Sequence, residues 1–166
     1  MNFKKITKGI LLIIISAVSI FSFASCGGES VAADVPISDF TDKFASILTN
    51  SDKLSAVDDS YLSGMLDINA SDVDDYILMV QAMGTAIDQY GVFKVTDASK
   101  RASVKTSVQS YIDTTKANWA NFNYLPEETV KIDNATVVER GNYILFTIMS
   151  ESEKTQIVDA FNNLLK

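Results

Sequence analysis

The chain has 166 residues, 47% of them hydrophobic, with 14 basic and 21 acidic side chains, one cysteine and no histidine. A net charge of −7 excludes nucleic-acid binding as a main function, because a phosphate backbone repels an acidic domain. The missing imidazole removes the commonest general base and zinc ligand, and with it Ser-His-Asp and Cys-His catalysis.

The first predicted element is a leader. Lys4, Lys5 and Lys8 make a short basic start, Gly9 to Ala24 is apolar and uncharged, and Phe23-Ala24-Ser25-Cys26 follows. The apolar run has 16 residues, short of the roughly 20 a spanning helix needs and close to a signal-peptide core. Ala24 and Ser25 are small enough for a signal peptidase; Phe23 stands where Leu, Val or Ile is more usual. The expectation is a lipoprotein signal peptide over 1–25, cut before Cys26, whose sulfur then carries a diacylglycerol. An ordinary cleaved signal and an uncleaved anchor are the competing readings. Two acyl chains hold a protein stably at a membrane, at about 0.8 kcal/mol per buried CH2. Cys26 is therefore the nominated lipidation site, and the expected address is the extracytoplasmic face of the cell membrane. Residues 26–35 are expected to be the lipidated cysteine and a flexible tether, and residues 36–166 a single α+β domain. Without the three leader lysines the 14 basic side chains fall to 11 against 21 acids, a net of −10, so the lipid and not surface charge must hold the domain at a bilayer.

Pro36-Ile37-Ser38-Asp39 predicts a first helix capped by Ser38, with Phe40, Phe44, Ile47 and Leu48 on one face. A short helix is expected over Asp59 to Met65, and a polar loop or single helical turn over Asp67 to Asp75. Tyr76 to Met83 and Ile87 to Thr96 read as an antiparallel hairpin across a tight Gly84-Thr85 turn. In the second strand the face carrying Ile87, Gln89, Gly91, Phe93 and Val95 is the expected core face. The first strand is apolar on both faces, so the chain's own N-terminal helices are expected to cover its second side. Asp97 is expected to cap a long helix whose stripe is Val104, Val108, Tyr111, Ile112, Thr115 and Trp119. That helix fades near Phe122-Asn123, and Pro126 turns Leu125 away from helix. Thr136 to Arg140 and Tyr143 to Met149 predict a second hairpin across Gly141-Asn142. Ser152 is expected to cap a last helix burying Ile157, Phe161, Leu164 and Leu165. The order is α-α-β-β-α-β-β-α: two antiparallel β-hairpins forming a sheet with helices packed on it.

The acidic turn Ser71-Asp72-Val73-Asp74-Asp75-Tyr76, the strand Tyr90-Gly91-Val92-Phe93-Lys94, the segment Tyr124-Leu125-Pro126-Glu127-Glu128 and the hairpin Gly141-Asn142-Tyr143-Ile144-Leu145 carry a resemblance. After a lipoprotein start, this set resembles a family of small exported proteins of Gram-positive bacteria known as domain-of-unknown-function family 4358, over about residues 35 to 166. Many members carry Glu where this chain has Gln89. The resemblance implies a fold and an address and no activity.

The chemistry the residues allow is narrow. No Ser or Thr stands three residues before a lysine of the domain, which removes the Ser-x-x-Lys motif, and no glycine-rich phosphate loop occurs. Asp58, Asp59, Asp67, Asp72, Asp74 and Asp75 are dense, and Asp67-Ile68-Asn69-Ala70-Ser71 mimics the start of a calcium loop. Asp72 then stands where that loop needs glycine, and Leu78 where it needs the closing glutamate, so solvated caps and turns are the expectation. Trp119, Tyr124 and the asparagines at 118, 121 and 123 make a polar–aromatic cluster of a kind that binds sugars or peptides; core packing is the expectation for Trp119. No catalytic, metal or cofactor site is nominated, and no cofactor is expected. The expected function is a non-enzymatic, lipid-anchored domain that binds an unknown envelope protein or small ligand. The alternatives are an envelope enzyme working with carboxylates alone and a small solute-binding lipoprotein. A deep pocket lined by two or more buried acids would favour the enzyme.

Overall fold

A computed structural model describes residues 33–120 and 125–166. Its centre is a five-stranded antiparallel sheet in the order β1-β2-β3-β5-β4, built from β1 (Leu54–Ala56), β2 (Val73–Gln81), β3 (Gln89–Val95), β4 (Thr136–Arg140) and β5 (Tyr143–Ile148). Five α-helices flank it: α1 (Ile37–Ala45), α2 (Asp59–Gly64), α3 (Arg101–Trp119), α4 (Pro126–Asp133) and α5 (Glu151–Leu164). The α+β architecture and both long hairpins are as the sequence predicts. Among the described residues no helix is long and apolar enough to cross a membrane.

Period-2 alternation splits the apolar side chains of the central strands between two cores. On one face Tyr90, Val92, Tyr143 and Leu145 pack against Phe40 and Phe44 of α1 and Ile157 and Phe161 of α5. On the other, Leu78, Phe93, Ile144 and Phe146 pack against Leu62 of α2 and Val104, Val108 and Ile112 of α3. The expected single core face of β3 is thus corrected: β3 lies between β2 and β5, helices cover both its sides, and Gln89 through Phe93 are all buried. Ile77 and Met79 of β2 pack on the α1 side, so the chain's own helices do cover the strand's second face.

Two elements are additional to the predicted order. β1 is a three-residue strand, too short to show a period. α4 begins at Pro126, the residue read as a break. Proline stops one helix and starts the next equally well, because its missing N–H is not needed in the first turn. The β2–β3 connection is also wider than the tight turn expected. Val80 pairs with Gln89, the Gln81 N–H donates to Asp88 O at 2.9 Å, and residues 82–88 loop out with Gly84 at φ +94°. The second hairpin turns across Gly141-Asn142 as predicted, with Gly141 taking the positive φ of 56°.

Three caps move. Pro36, not Ser38, precedes α1. Asp97 accepts from the Ser99 N–H at 2.7 Å in a turn ahead of α3, and Lys100 is the residue at its N-cap. Ser150, not Ser152, caps α5: its hydroxyl accepts from the Glu153 N–H and donates to Glu153 Oε2 at 2.6 Å, an N-cap bond with a second link between the two side chains. The packed chain reaches back before Pro36. Val35 is buried, Asp34 pairs with Lys94 at 2.7 Å, and the Tyr143 hydroxyl accepts from the Val35 N–H at 2.8 Å.

Candidate functional site

A cavity of about 550 Å³ lies on the α3 side of the sheet, between the 82–88 loop, α2 and the C-terminal half of α3. Its walls follow from the elements just described. Because residues 82–88 loop away from the ladder, they form a rim and leave the first residue of β3, Gln89, facing the last turns of α3. Residues i, i+4 and i+8 of a helix share a face, so α3 presents Tyr111, Thr115 and Trp119 together; Tyr111 and Trp119 line the cavity, and Tyr61 enters from α2. The Tyr111 ring stands edge-on to Phe146 with centroids 5.9 Å apart.

Polar side chains line the cavity at Gln81, Thr85, Asp88 and Gln89, and of these Asp88 and Gln89 are buried. Gln89 is 5% exposed, and its Oε1 accepts from the Tyr111 hydroxyl at 2.7 Å. Burial raises the Tyr111 phenol above its ordinary pKa, and a bond donated to Gln89 holds the same proton. Asp88 is 6% exposed and borders the same cavity. Its Oδ2 receives the Lys131 ammonium at 2.8 Å, and that ammonium also reaches Glu128 Oε1 at 3.0 Å. Glu128 is 7% exposed, and its second oxygen accepts from the Ile87 N–H at 2.8 Å. Burial opposes the charge on Lys131, yet its bonds to Asp88 and Glu128 outweigh that and hold its pKa above the ordinary lysine value. The triad binds α4 to the 82–88 loop and so fixes one side of the cavity.

The sequence-nominated residues fall elsewhere or take other roles. Cys26 lies outside the described residues, as do Tyr124 and the asparagines at 121 and 123. Asn118 is exposed. Trp119 is half-buried: it packs against the α3-side core, as expected, and also forms cavity wall. Several side chains of the stretch from Asp67 to Asp75 are engaged in turns and one ion pair. Asn69 accepts from the Ser71 N–H at 3.0 Å, Asp72 pairs with Lys100 at 2.8 Å, and Asp75 accepts from the Tyr76 N–H at 2.8 Å. Among the described residues no group of three or more His, Cys, Asp or Glu side chains is placed to hold a metal ion. The cavity residues Asp88, Gln89, Tyr111, Glu128 and Lys131 were not picked out as a site. Two signals for them exist in the sequence: Gln89 interrupts an otherwise apolar strand face, and Glu128 and Lys131 stand at helical i, i+3 spacing.

No curated protein and no solved structure matches the chain. The sequence model of the family described as domain of unknown function (DUF4358) matches residues 48–149. That span is narrower than the 35–166 expected, taking in all five strands and α2 to α4 and stopping short of α1 and α5. It contains every residue of the cavity and of the Asp88–Lys131–Glu128 triad. The chain therefore belongs to the DUF4358 family.

Proposed function

We propose that this protein is a lipid-anchored extracytoplasmic binding domain, tethered through Cys26, that holds a small ligand in the cavity beside α3. The cavity carries this reading. Its volume of about 550 Å³ falls in the range of small-molecule sites, which are typically apolar with a few converging polar groups. Tyr61, Tyr111 and Trp119 supply the apolar surface, and Asp88 and Gln89 the polar groups. A carboxylate-dependent enzyme has less support. Among the described residues Asp88 is the only acid lining the cavity, and Lys131 already holds it, whereas acid–base work asks for two carboxyl groups in different protonation states.

The direction of the chain supports the tethered reading. Asp34 and Val35 are fastened at Lys94 and Tyr143, the last residues paired at one end of β3 and β5. Gln89 and the cavity lie at the other end of β3, five residues and about 17 Å away at strand spacing. A membrane tether leaving from residue 33 therefore attaches far from the cavity, and the cavity stays open to solutes outside.

Two measurements test the reading. Metabolic labelling with a fatty-acid analogue is expected to mark the wild-type chain and to leave Cys26→Ala unlabelled; equal label on both ends the lipoprotein assignment. Trp119 is the only tryptophan in the chain and lines the cavity, so its emission reports occupancy. Titrating the full chain in detergent with a library of neutral, anionic and cationic small molecules is expected to give saturable changes with at least one of them. A library that leaves Trp119 emission unchanged throughout removes the cavity as a binding site.

A further inference from the structure

We infer that the cavity is a saccharide site, taking a neutral, polyhydroxylated ring whose hydroxyls bond Asp88 and Gln89 while its apolar face lies against the aromatic wall. This rests on the cavity reading above and adds the ligand class. Three observations select it.

The first is the state of the Gln89 side chain. It is 5% exposed and lines the cavity, one end of its amide is taken by Tyr111, and among the described residues the other end, Nε2, meets no acceptor. The second is the Asp88 carboxylate beside it. Oδ2 holds Lys131, and among the described residues Oδ1 meets no donor. A donor and an acceptor are thus left without a protein partner, among the described residues, on two adjacent residues that both line the cavity. A hydroxyl group donates and accepts, and a ring with neighbouring hydroxyls answers both at once. An apolar ligand would cover the two groups without bonding either, and leaving buried polar groups unmade is what makes such sites reject a ligand lacking the matching hydroxyl.

The third observation is charge. Asp88 and Glu128 share one lysine, so the buried triad carries one negative charge in excess, and among the described residues no Lys or Arg lines the cavity. Anionic ligands, phosphorylated or carboxylated, meet repulsion with no compensating cation. A cation is drawn by that excess charge, but it faces the Gln89 amide nitrogen, a donor like itself, and leaves that donor without an acceptor. Neutral hydroxyls meet neither difficulty. Tyr61, Tyr111 and Trp119 then offer amphipathic rings, with polar edges for hydroxyls and flat surface for the ring's C–H groups.

The test uses the full chain in detergent and the emission of Trp119. The probes are the methyl glycosides of glucose, galactose and N-acetylglucosamine, with glucuronate as the anionic control and cyclohexanol as the apolar ring control. At least one glycoside is expected to bind saturably and at least tenfold more tightly than either control. Gln89→Leu and Asp88→Asn, each checked for a wild-type-like melting transition, are expected to weaken that glycoside tenfold or more. Should Gln89→Leu fail to fold, Asp88→Asn gives the same reading independently, since it alters the carboxylate and leaves the Gln89–Tyr111 pair in place. Cyclohexanol or glucuronate binding as tightly as the glycosides overturns the saccharide assignment while leaving the cavity a binding site. No response to any glycoside also overturns it, and the broader library then decides whether the cavity binds anything.

Discussion

Thr147 carries a hydroxyl that the packing leaves without a partner. It sits in β5 between Tyr90 of β3 and Thr136 of β4, is fully buried, and its Oγ1 meets no hydrogen-bond partner among the described residues. A buried hydroxyl without a bond costs about 1–3 kcal/mol of desolvation, and valine has the same branched shape without it. Thr147→Val is expected to raise stability by about 1 kcal/mol, read as a higher urea midpoint with an unchanged slope; a lower midpoint would mean that the hydroxyl is satisfied in solution. At the next pair along the same ladder, Gly91 shows the opposite constraint. It lies opposite Phe146, and a Cβ on it would come within 2.5 Å of Phe146 Cε1 and 3.0 Å of Phe93 Cζ. Those rings stack on each other with centroids 6.2 Å apart, so neither gives way without disturbing the other. Gly91→Ala is expected to cost about 1–3 kcal/mol, as for other overpacked cores. An alanine variant that melts like wild type would show that the ring pair relaxes freely.

At the scale of elements, the caps decide where helices begin, and α5 offers a direct comparison. The Ser150 hydroxyl accepts from the Glu153 N–H and donates to the Glu153 carboxylate at the helix start, whereas Ser152 stands within the first turn and is exposed. Ser150→Ala is expected to cost about 1 kcal/mol, and Ser152→Ala less than about 0.5 kcal/mol; thermal melts of the two variants in the reverse order would return the cap to Ser152. The sequence contains both serines in the right neighbourhood, and only the capping-box spacing to Glu153 against Lys154–Thr155 separates them. The hairpins were legible for a stronger reason, since a period-2 run bounded by glycine admits few alternatives. What escaped was set by contacts between distant residues. The 82–88 loop stays open because Glu128, forty-one positions on, caps the Ile87 N–H. The cavity likewise depends on Tyr61, Gln89, Tyr111 and Trp119 meeting across three elements. No local period announces that meeting, so the fold was readable and the site was not.

On the scale of the whole molecule, the sheet divides the interior into two cores, and each contains a tyrosine whose proton is held more tightly than usual. Tyr90, between β3 and α1, is pushed up to about 12 by burial, against a small opposing hydrogen bond to Thr41; its ring meets Phe44 edge-on at 5.1 Å. Tyr76, on the α3 side, is pushed up to about 12 by burial and then by its hydrogen bond to Asp59 and the charges of Asp59 and Asp58. An unfolded phenol titrates near 10. Because both folded values lie above the unfolded one, the contribution is fully present below about pH 10. It is lost as the pH climbs towards about 12, where the native state must either lose protons inside its cores or unfold. The acid side has no such element: Asp34, Asp58 and Asp97 are held below the ordinary carboxylate value first by hydrogen bonds to Lys94, Ser60 and Ser99 respectively, and all three are fully solvent-exposed. The urea midpoint is therefore expected to fall steeply between about pH 10 and 12. Tyr90→Phe and Tyr76→Phe should each flatten that fall, and the double variant should flatten it further, because the two rings sit in separate cores and their effects should add. A double variant that loses stability over that window as steeply as wild type would place the alkaline weakness elsewhere, in the raised phenols of Tyr111 and Tyr143 or in the excess of negative surface charge.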